Sequence, residues 1–310
     1  MLLAACVNKK QEAAKYVSPA PDFCADSAYA YTDAQCQYGP RVMNSAAHDS
    51  CGDYIASKFE TFGCTVYNQY ADSRLHDGTA IKMRNIIASF NPAAPARIII
   101  SGHWDSRPWA DNDPDDANHS TPIDGANDGA SSIGVMLELA RQLQLTADTA
   151  KLNVGVDFIC WDAEDAGVSG MENESTWCLG SQYWSGKRHI DGYTARYGIN
   201  LDMVGGDKTV FAREQFSLSY APSIVNKVWG AAQRIGYSKY FVYDDGGAIT
   251  DDHIQVNQGG IPCIDVIGTD PDNGSFPATW HTIADNMSNI SKSTLKAVGQ
   301  TMLEVIFTEQ

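Results

Sequence analysis

Carboxylate and imidazole side chains follow four apolar segments of the sequence. The segments span residues 96–102, 152–160, 198–201 and 261–267, and the polar residues beyond them are His103-Trp104-Asp105, Asp162-Ala163-Glu164-Asp165, Asp202 and Trp280-His281. Neutral imidazole nitrogens and carboxylate oxygens, without thiolates, are the ligands that a catalytic zinc ion prefers. The pattern therefore predicts a metal site with one ion or two.

The four apolar segments are typical of buried strands, and helical patterns lie between them. Apolar residues recur at helical spacing over residues 50–62, 131–143 and 222–235. This alternation predicts a single-domain α/β fold with a mixed, mostly parallel central sheet that helices flank on both faces. Ligands of such sheets bind beyond the carboxyl ends of the strands, so we expect the polar residues to converge on one site.

A glycine-flanked turn supplies one more carboxylate. Asp128 lies between Gly125 and Gly129, directly before the helix predicted at 131–143. An isolated aspartate at such a place is more commonly a helix cap or a loop residue. The pattern of residues alone leaves the metal site and the capping interpretation open.

The composition excludes several classes of partner. The 310 residues include 22 basic and 38 acidic side chains, which gives a formal net charge of −16. Attraction to nucleic-acid phosphates or to anionic lipid headgroups is therefore not expected. A hydrophobic fraction of 44% with 19% charged residues is typical of a folded globular protein, and we expect a monomer.

The first residues predict a lipid anchor. Leu3-Ala4-Ala5-Cys6 is typical of the end of a bacterial lipoprotein signal peptide, although the basic region and full apolar stretch are missing. An ordinary short hydrophobic terminus is the alternative. We expect residues 1–22 to be a signal-peptide remnant and tether, residues 23–310 to be the catalytic domain, and the protein to be periplasmic and anchored to the membrane. If Cys6 is lipidated, seven cysteines remain, and the sequence leaves open whether they form one or two disulfides. They contain no C-x-x-C spacing, so a structural zinc site of that type is not expected.

Six short strings in order carry a resemblance that covers nearly the whole chain after the tether. The sequence resembles the zinc-dependent glutaminyl cyclases, in particular their bacterial lipoprotein members, within the larger clan of zinc aminopeptidases that shares their fold. The strings are Gly102-His103-Trp104-Asp105-Ser106, Asp124-Gly125-Ala126-Asn127-Asp128-Gly129-Ala130, Trp161-Asp162-Ala163-Glu164-Asp165, Leu201-Asp202-Met203-Val204-Gly205, Asp251-Asp252-His253-Ile254 and Trp280-His281-Thr282.

The resemblance implies a set of zinc ligands. In the clan, the residues that match Asp128, Asp165 and His281 bind zinc. In the two-metal aminopeptidases, the residues that match His103 and Asp202 hold a second ion. The resemblance to the cyclases implies one zinc ion, although the cyclases retain residues like His103 and Asp202. One ion is therefore favoured, and a second ion remains an alternative. The animal cyclases have Glu where this chain has Asp165.

The resemblance also implies residues that act on the substrate. The residue that matches Glu164 is the general base, and the one that matches Asp251 shares a hydrogen-bond network with it and with the match of Asp202. The match of Trp280 forms part of the substrate pocket. Asp105 is expected to orient His103, and the role of Trp177 is left open.

The implied reaction converts N-terminal glutaminyl residues of peptides and proteins to pyroglutamate and releases ammonia. Two alternatives remain at this point. The complete ligand set also fits a zinc aminopeptidase of the same clan, which would remove N-terminal residues by hydrolysis. A surface lipoprotein that binds without turnover would not need the retained base, Glu164.

Overall fold

The computed structural model describes residues 16–149, 152–170 and 175–309. The predicted lipidation site, Cys6, lies outside the described residues, as does most of the predicted tether. None of the helices in the described stretches is long and apolar enough to cross a membrane.

Most strands of the described chain belong to one central sheet. The strands are β1 (Thr65–Arg74), β2 (Ala80–Phe90), β3 (Arg97–His103), β4 (Gly155–Trp161), β5 (Gly198–Asp202), β6 (Phe211–Arg213), β7 (Phe241–Asp245) and β8 (Cys263–Ile267). Within the described residues, six of them form the sheet in the order β1-β2-β4-β3-β5-β8, and β6 pairs with β7 separately. The pairs from β4 to β8 are parallel, whereas β1 and β2 extend the sheet antiparallel. The predicted mixed, mostly parallel sheet is confirmed.

Helices pack on both faces of this sheet, as predicted. They are α1 (Ala25–Cys36), α2 (Ala46–Thr61), α3 (Ser131–Thr146), α4 (Leu179–Gly186), α5 (Gln215–Tyr220), α6 (Pro222–Arg234), α7 (Asp252–Gln258) and α8 (Lys292–Thr308). Alternate residues of one strand point to opposite faces. Accordingly, Ile98 and Ile100 of β3 belong to the large core that includes α3 and α8, while Ile99 packs in a smaller core with Trp184 of α4 and Val256 of α7.

The large core depends on aromatic packing in its centre. Phe158 of β4 is fully buried, and its ring lies 5.4 Å from that of Phe59 in α2. We expect Phe158→Ala to lower the free energy of unfolding by about 3–5 kcal/mol, because the substitution leaves a cavity. Leu145→Ala, at a position that is 62% exposed, is the control, with a change within about 0.5 kcal/mol. Urea denaturation measures both, and equal small effects would contradict this view of the core.

The chain enters the domain along α8. Tyr16 and Ser18 donate hydrogen bonds to the carboxylate of Glu304, each at 2.5 Å, and Lys296 pairs with Asp22 at 2.6 Å. The end of the predicted tether therefore contacts the folded domain, and the boundary at residue 22 stays a prediction.

The cysteines of the described stretches all have free thiols. They are Cys24, Cys36, Cys51, Cys64, Cys160, Cys178 and Cys263. The sequence left open whether one or two disulfides form, and the structure shows none among these seven residues.

Candidate active site

The carboxyl ends of the parallel strands open into a cavity of about 440 Å³. His103 is the last residue of β3, Asp202 is the last residue of β5, and Glu164 and Asp165 lie just beyond β4. The loop that joins β8 to α8 brings Trp280 and His281 to the same place. The side chains that follow the predicted strands therefore converge at one edge of the sheet.

Asp128, Asp165 and His281 form the first group of candidate metal ligands. Their ligand atoms all lie within 4.8 Å of one another. Nε2 of His281 is 3.1 Å from Oδ1 of Asp165 and 3.9 Å from Oδ2 of Asp128. The three side chains are buried, and Oδ2 of Asp165 has no hydrogen-bond partner among the described residues. Buried carboxylates need a cation or donors, so this set of two carboxylates and one imidazole fits a zinc ion.

A second group shares Asp128 with the first. His103, Asp128 and Asp202 also place their ligand atoms within 4.8 Å of one another. Nε2 of His103 lies 2.8 Å from Asp128 and 3.4 Å from Asp202, and its Nδ1 faces Asp105 at 3.5 Å. The second group has the N and O donors of a zinc site as well, so the side chains fit one ion or two.

A carboxyl group accepts hydrogen bonds from the backbone of the turn that carries Asp128. Asp285 accepts hydrogen bonds from the backbone N–H groups of Asn127 and Asp128, at 2.8 and 3.1 Å. Burial and the charge of Asp128 raise the pKa of Asp285 to about 8. Gly125 has a left-handed φ of 56°, and a Cβ there would lie 2.2 Å from the carbonyl oxygen of Asp128. The turn therefore needs glycine at this position.

Glu164 lies beside the first ligand group without belonging to it. Its ligand atoms come within 4.8 Å of those of Asp251 and Cys178, and the thiol of Cys178 donates to its carboxylate at 3.3 Å. Burial raises the pKa of Glu164 well above its usual range. The charge of His103 lowers this pKa, whereas the charges of Asp165 and Asp251 raise it further. A carboxyl group with a raised proton affinity is suited to accept and return a proton during a reaction.

Hydrogen bonds fix the segment that carries Glu164. Asp105 accepts from the backbone N–H groups of Glu164 and Asp165, each at 3.1 Å. The backbone N–H groups of residues 178–180, at the start of α4, donate to the carbonyl oxygens of residues 162–164 at 2.9–3.1 Å. Asp105 therefore contacts both His103 and the segment of the proposed base, whereas the sequence indicated only the first of these.

Asp251 and Asp202 are two further carboxylates of the site. Asp251 is the N-cap residue of α7, where it accepts from the backbone of Asp252, and Asn200 donates to it at 2.8 Å. Burial and the charges of Asp128 and Asp251 raise the pKa of Asp202 to about 7. The charge of Asp251 therefore raises the proton affinity of both Glu164 and Asp202.

Aromatic side chains form the walls of the cavity. The ring of Trp280 stacks on that of His281 with 3.7 Å between centroids, and Trp177 is almost parallel to the same imidazole at 6.0 Å. Phe276 lies against Trp280 at 4.6 Å, and Ile249 also lines the cavity. Trp177, whose role the sequence left open, thus lines the cavity, as does Trp280.

Sequence reasoning missed several residues of the site. They are Arg107, Asp111, Cys178, Phe276 and Asp285, which contact the ligands, the candidate base or Trp280. All lie in loops or at the start of a helix, where no periodic pattern marks them.

Two solved structures that are similar to this chain carry different names. A Bacteroides thetaiotaomicron glutaminyl cyclase bound to N-acetylhistamine is 53% identical, with a TM-score of 0.90, covering 94% of this chain and 100% of that one. A leucine aminopeptidase precursor from Bacteroides thetaiotaomicron is 52% identical, with a TM-score of 0.89 and coverage of 95% and 100%.

A family comparison adds a curated relative and a family. The glutaminyl-peptide cyclotransferase of Gloydius blomhoffii is 26% identical over 251 residues, which are 73% of this chain and 65% of that protein. This chain thus spans less than two thirds of that relative's length. Residues 85–306, which include both candidate ligand groups, match the model of peptidase family M28. The chain is a member of peptidase family M28.

Proposed function

We propose that this protein converts N-terminal glutaminyl residues of peptides and proteins to pyroglutamate and releases ammonia. The observation that carries the proposal is the position of Glu164, a carboxyl group with a raised pKa that lines the same cavity as the first ligand group and lies within 4.8 Å of Asp251. The 53% identity with a bacterial glutaminyl cyclase supports the same reaction.

The reaction joins two atoms of one substrate residue. The α-amine attacks the carbon of the side-chain amide, a C–N bond closes the five-membered ring, and the amide nitrogen leaves as ammonia. Asp128, Asp165 and His281 would hold the zinc ion. When bound, zinc acts as a Lewis acid that polarises the amide carbonyl group.

Glu164 moves the proton in this proposal. Its carboxylate accepts a proton from the neutral α-amine as the new C–N bond forms, and it donates that proton to the departing nitrogen, which leaves as ammonia. One proton is taken up and one is released, so the carboxylate is regenerated and no water is consumed. Asp251 supports the transfer, since its negative charge keeps the proton affinity of Glu164 high and also raises the pKa of Asp202.

The aromatic walls favour cyclisation over hydrolysis. Trp177, Phe276 and Trp280 line the cavity next to His281. Large apolar rings displace water from the reacting groups, and a dry site also strengthens the electrostatic interactions inside it. With water excluded, the amine of the substrate itself is the available nucleophile.

An aminopeptidase is the second candidate. The observation that favours it is the complete second ligand group of His103, Asp128 and Asp202. These residues would hold a second ion, which would supply further Lewis-acid chemistry for a hydrolysis. The relative that is named a leucine aminopeptidase precursor supports this candidate.

Two peptides that differ only in the first residue separate the candidates. We expect the zinc-loaded protein to release ammonia and form pyroglutamate from a Gln-initiated peptide, and to leave a Leu-initiated peptide intact. Mass spectrometry detects the loss of 17 Da, and an amino-acid assay detects free leucine. Free leucine from the second peptide, with no pyroglutamate from the first, would replace the cyclase proposal by the aminopeptidase.

A further inference from the structure

One guanidinium group contacts several parts of the site at once. Arg107, in the loop after β3, is fully buried. Its Nε and Nη2 donate to the two oxygens of Asp111 at 2.7 and 2.6 Å, which is a bidentate pair. Its Nη1 donates to the carbonyl oxygens of Asp165 and Gly167 at 2.9 and 3.1 Å. Arg107 thereby holds the backbone of one proposed zinc ligand.

The same guanidinium lies over two indole rings. Its Cζ is 4.9 Å from the ring centre of Trp109 and 4.8 Å from that of Trp177. Cation–π contacts of a desolvated arginine are stabilising. Because Trp177 is a wall of the cavity, Arg107 links the wall to the ligand segment.

Asp111 connects this arrangement to the imidazole ligand. Its Oδ1 lies 3.3 Å from Nδ1 of His281, while Nε2 of that ring faces Asp128 and Asp165. The backbone N–H of Asn112 also donates to the carbonyl oxygen of His281 at 3.1 Å. A carboxylate that accepts from Nδ1–H keeps the proton there and leaves Nε2 free to bind a metal.

We propose that Arg107 and Asp111 are positioning residues of the metal centre. Asp111 selects the tautomer and orientation of His281. Arg107 fixes the relative positions of Asp111, the backbone of Asp165 and the ring of Trp177. The pair sets the affinity of the site for zinc, whichever reaction the protein catalyses. The inference therefore goes beyond the proposed cyclisation.

The affinity for zinc tests the pair without any peptide. In Asp111→Asn, an NH2 group replaces one carboxylate oxygen. In the place of Oδ2 it faces Nη2 of Arg107, and in the place of Oδ1 it faces both Nε of Arg107 and Nδ1 of His281, so at least one contact is lost. We expect zinc binding to weaken about 10–100-fold, as for other partners of ligand imidazoles. Competition with a chromophoric chelator measures the dissociation constant. Asp116→Asn, the same change at an exposed position of the same loop, should bind zinc like the unmodified protein.

A second variant covers the case in which Asp111→Asn does not fold. Arg107→Lys keeps the charge but has a single ammonium group in place of the planar fork, so it cannot make the bidentate pair. We expect at least about a tenfold weaker affinity for zinc by the same assay. Thermal unfolding of the zinc-free variants identifies the folded ones. Folded Arg107→Lys with an affinity within about twofold of the unmodified protein would overturn the proposal, and so would the same result for Asp111→Asn. A protein that binds zinc as expected but does not cyclise would refute the proposed function alone.

Discussion

Replacing Glu164 by glutamine is expected to abolish turnover and to leave zinc bound. The amide keeps the size of the side chain but cannot carry a proton between the amine and the departing nitrogen. General acid–base catalysis contributes about 10²–10⁴-fold, so kcat should fall by at least about 10³-fold for a group that acts twice in each cycle. Ammonia release from a Gln-initiated peptide measures the rate, and atomic emission measures the bound zinc.

The control for this variant is the same change on the surface. Glu60→Gln, at an exposed position of α2, should leave both the rate and the zinc content unchanged. If Glu164→Gln instead loses its zinc, Glu164 is a ligand, and Asp165 would have to be considered as the base. Unchanged turnover in the variant would show that Glu164 does not transfer the proton. A protein that binds without catalysis would show no turnover in the unmodified form either.

Replacing His281 by alanine is expected to remove the metal together with the activity. Nε2 of His281 is the nitrogen donor of the first ligand group, 3.1 Å from Asp165. Without it two carboxylates remain, and they are a poor set for zinc. The loss of affinity should exceed the 10–100-fold that is typical of a partner outside the ligand set. Equilibrium dialysis against buffered zinc measures it.

Leu145→Ala is the control for this experiment. Leu145 is 62% exposed near the end of α3 and belongs to neither ligand group, so zinc content and turnover should not change. A fully occupied site in His281→Ala would show that His281 does not bind the metal, and the ion would then have to lie in the group of His103, Asp128 and Asp202.

The buried parts of the fold were predictable from local patterns. β3, β5 and β8 are short apolar runs, and α3 has apolar residues at helical spacing, so both kinds of element leave a signal in the sequence. β4 begins at Gly155, three residues after the predicted start at Leu152. The ends of elements depend on the pairing of strands, which a single sequence does not contain.

Two of the elements that escaped prediction, β1 and α1, lack such a signal. β1 alternates between exposed and partly buried residues without an apolar run, because it is the edge strand of the sheet. α1 buries Ala28, Thr32 and Gln35, which are small or polar, so no apolar stripe marks it. Only the packing against α3 and α8 makes this helix part of the core.

The candidate site divides in the same way. Residues directly after strands, such as His103, Glu164 and Asp202, were predictable because parallel strands bring their carboxyl ends together. Cys178, Asp285 and the pair of Arg107 and Asp111 depend on contacts between loops that are far apart in sequence. No spacing rule connects such residues, so only the folded arrangement identifies them.

The wide separation of the proposed ligands along the chain bears on biosynthesis. His103 ends β3 early in the chain, whereas His281 lies just before the last helix, α8. A ribosome must release almost the entire polypeptide before the imidazole of His281 can meet Asp128 and Asp165. We therefore expect zinc to bind after the sheet has formed, in the compartment where folding is completed. Zinc binding is not expected to nucleate folding.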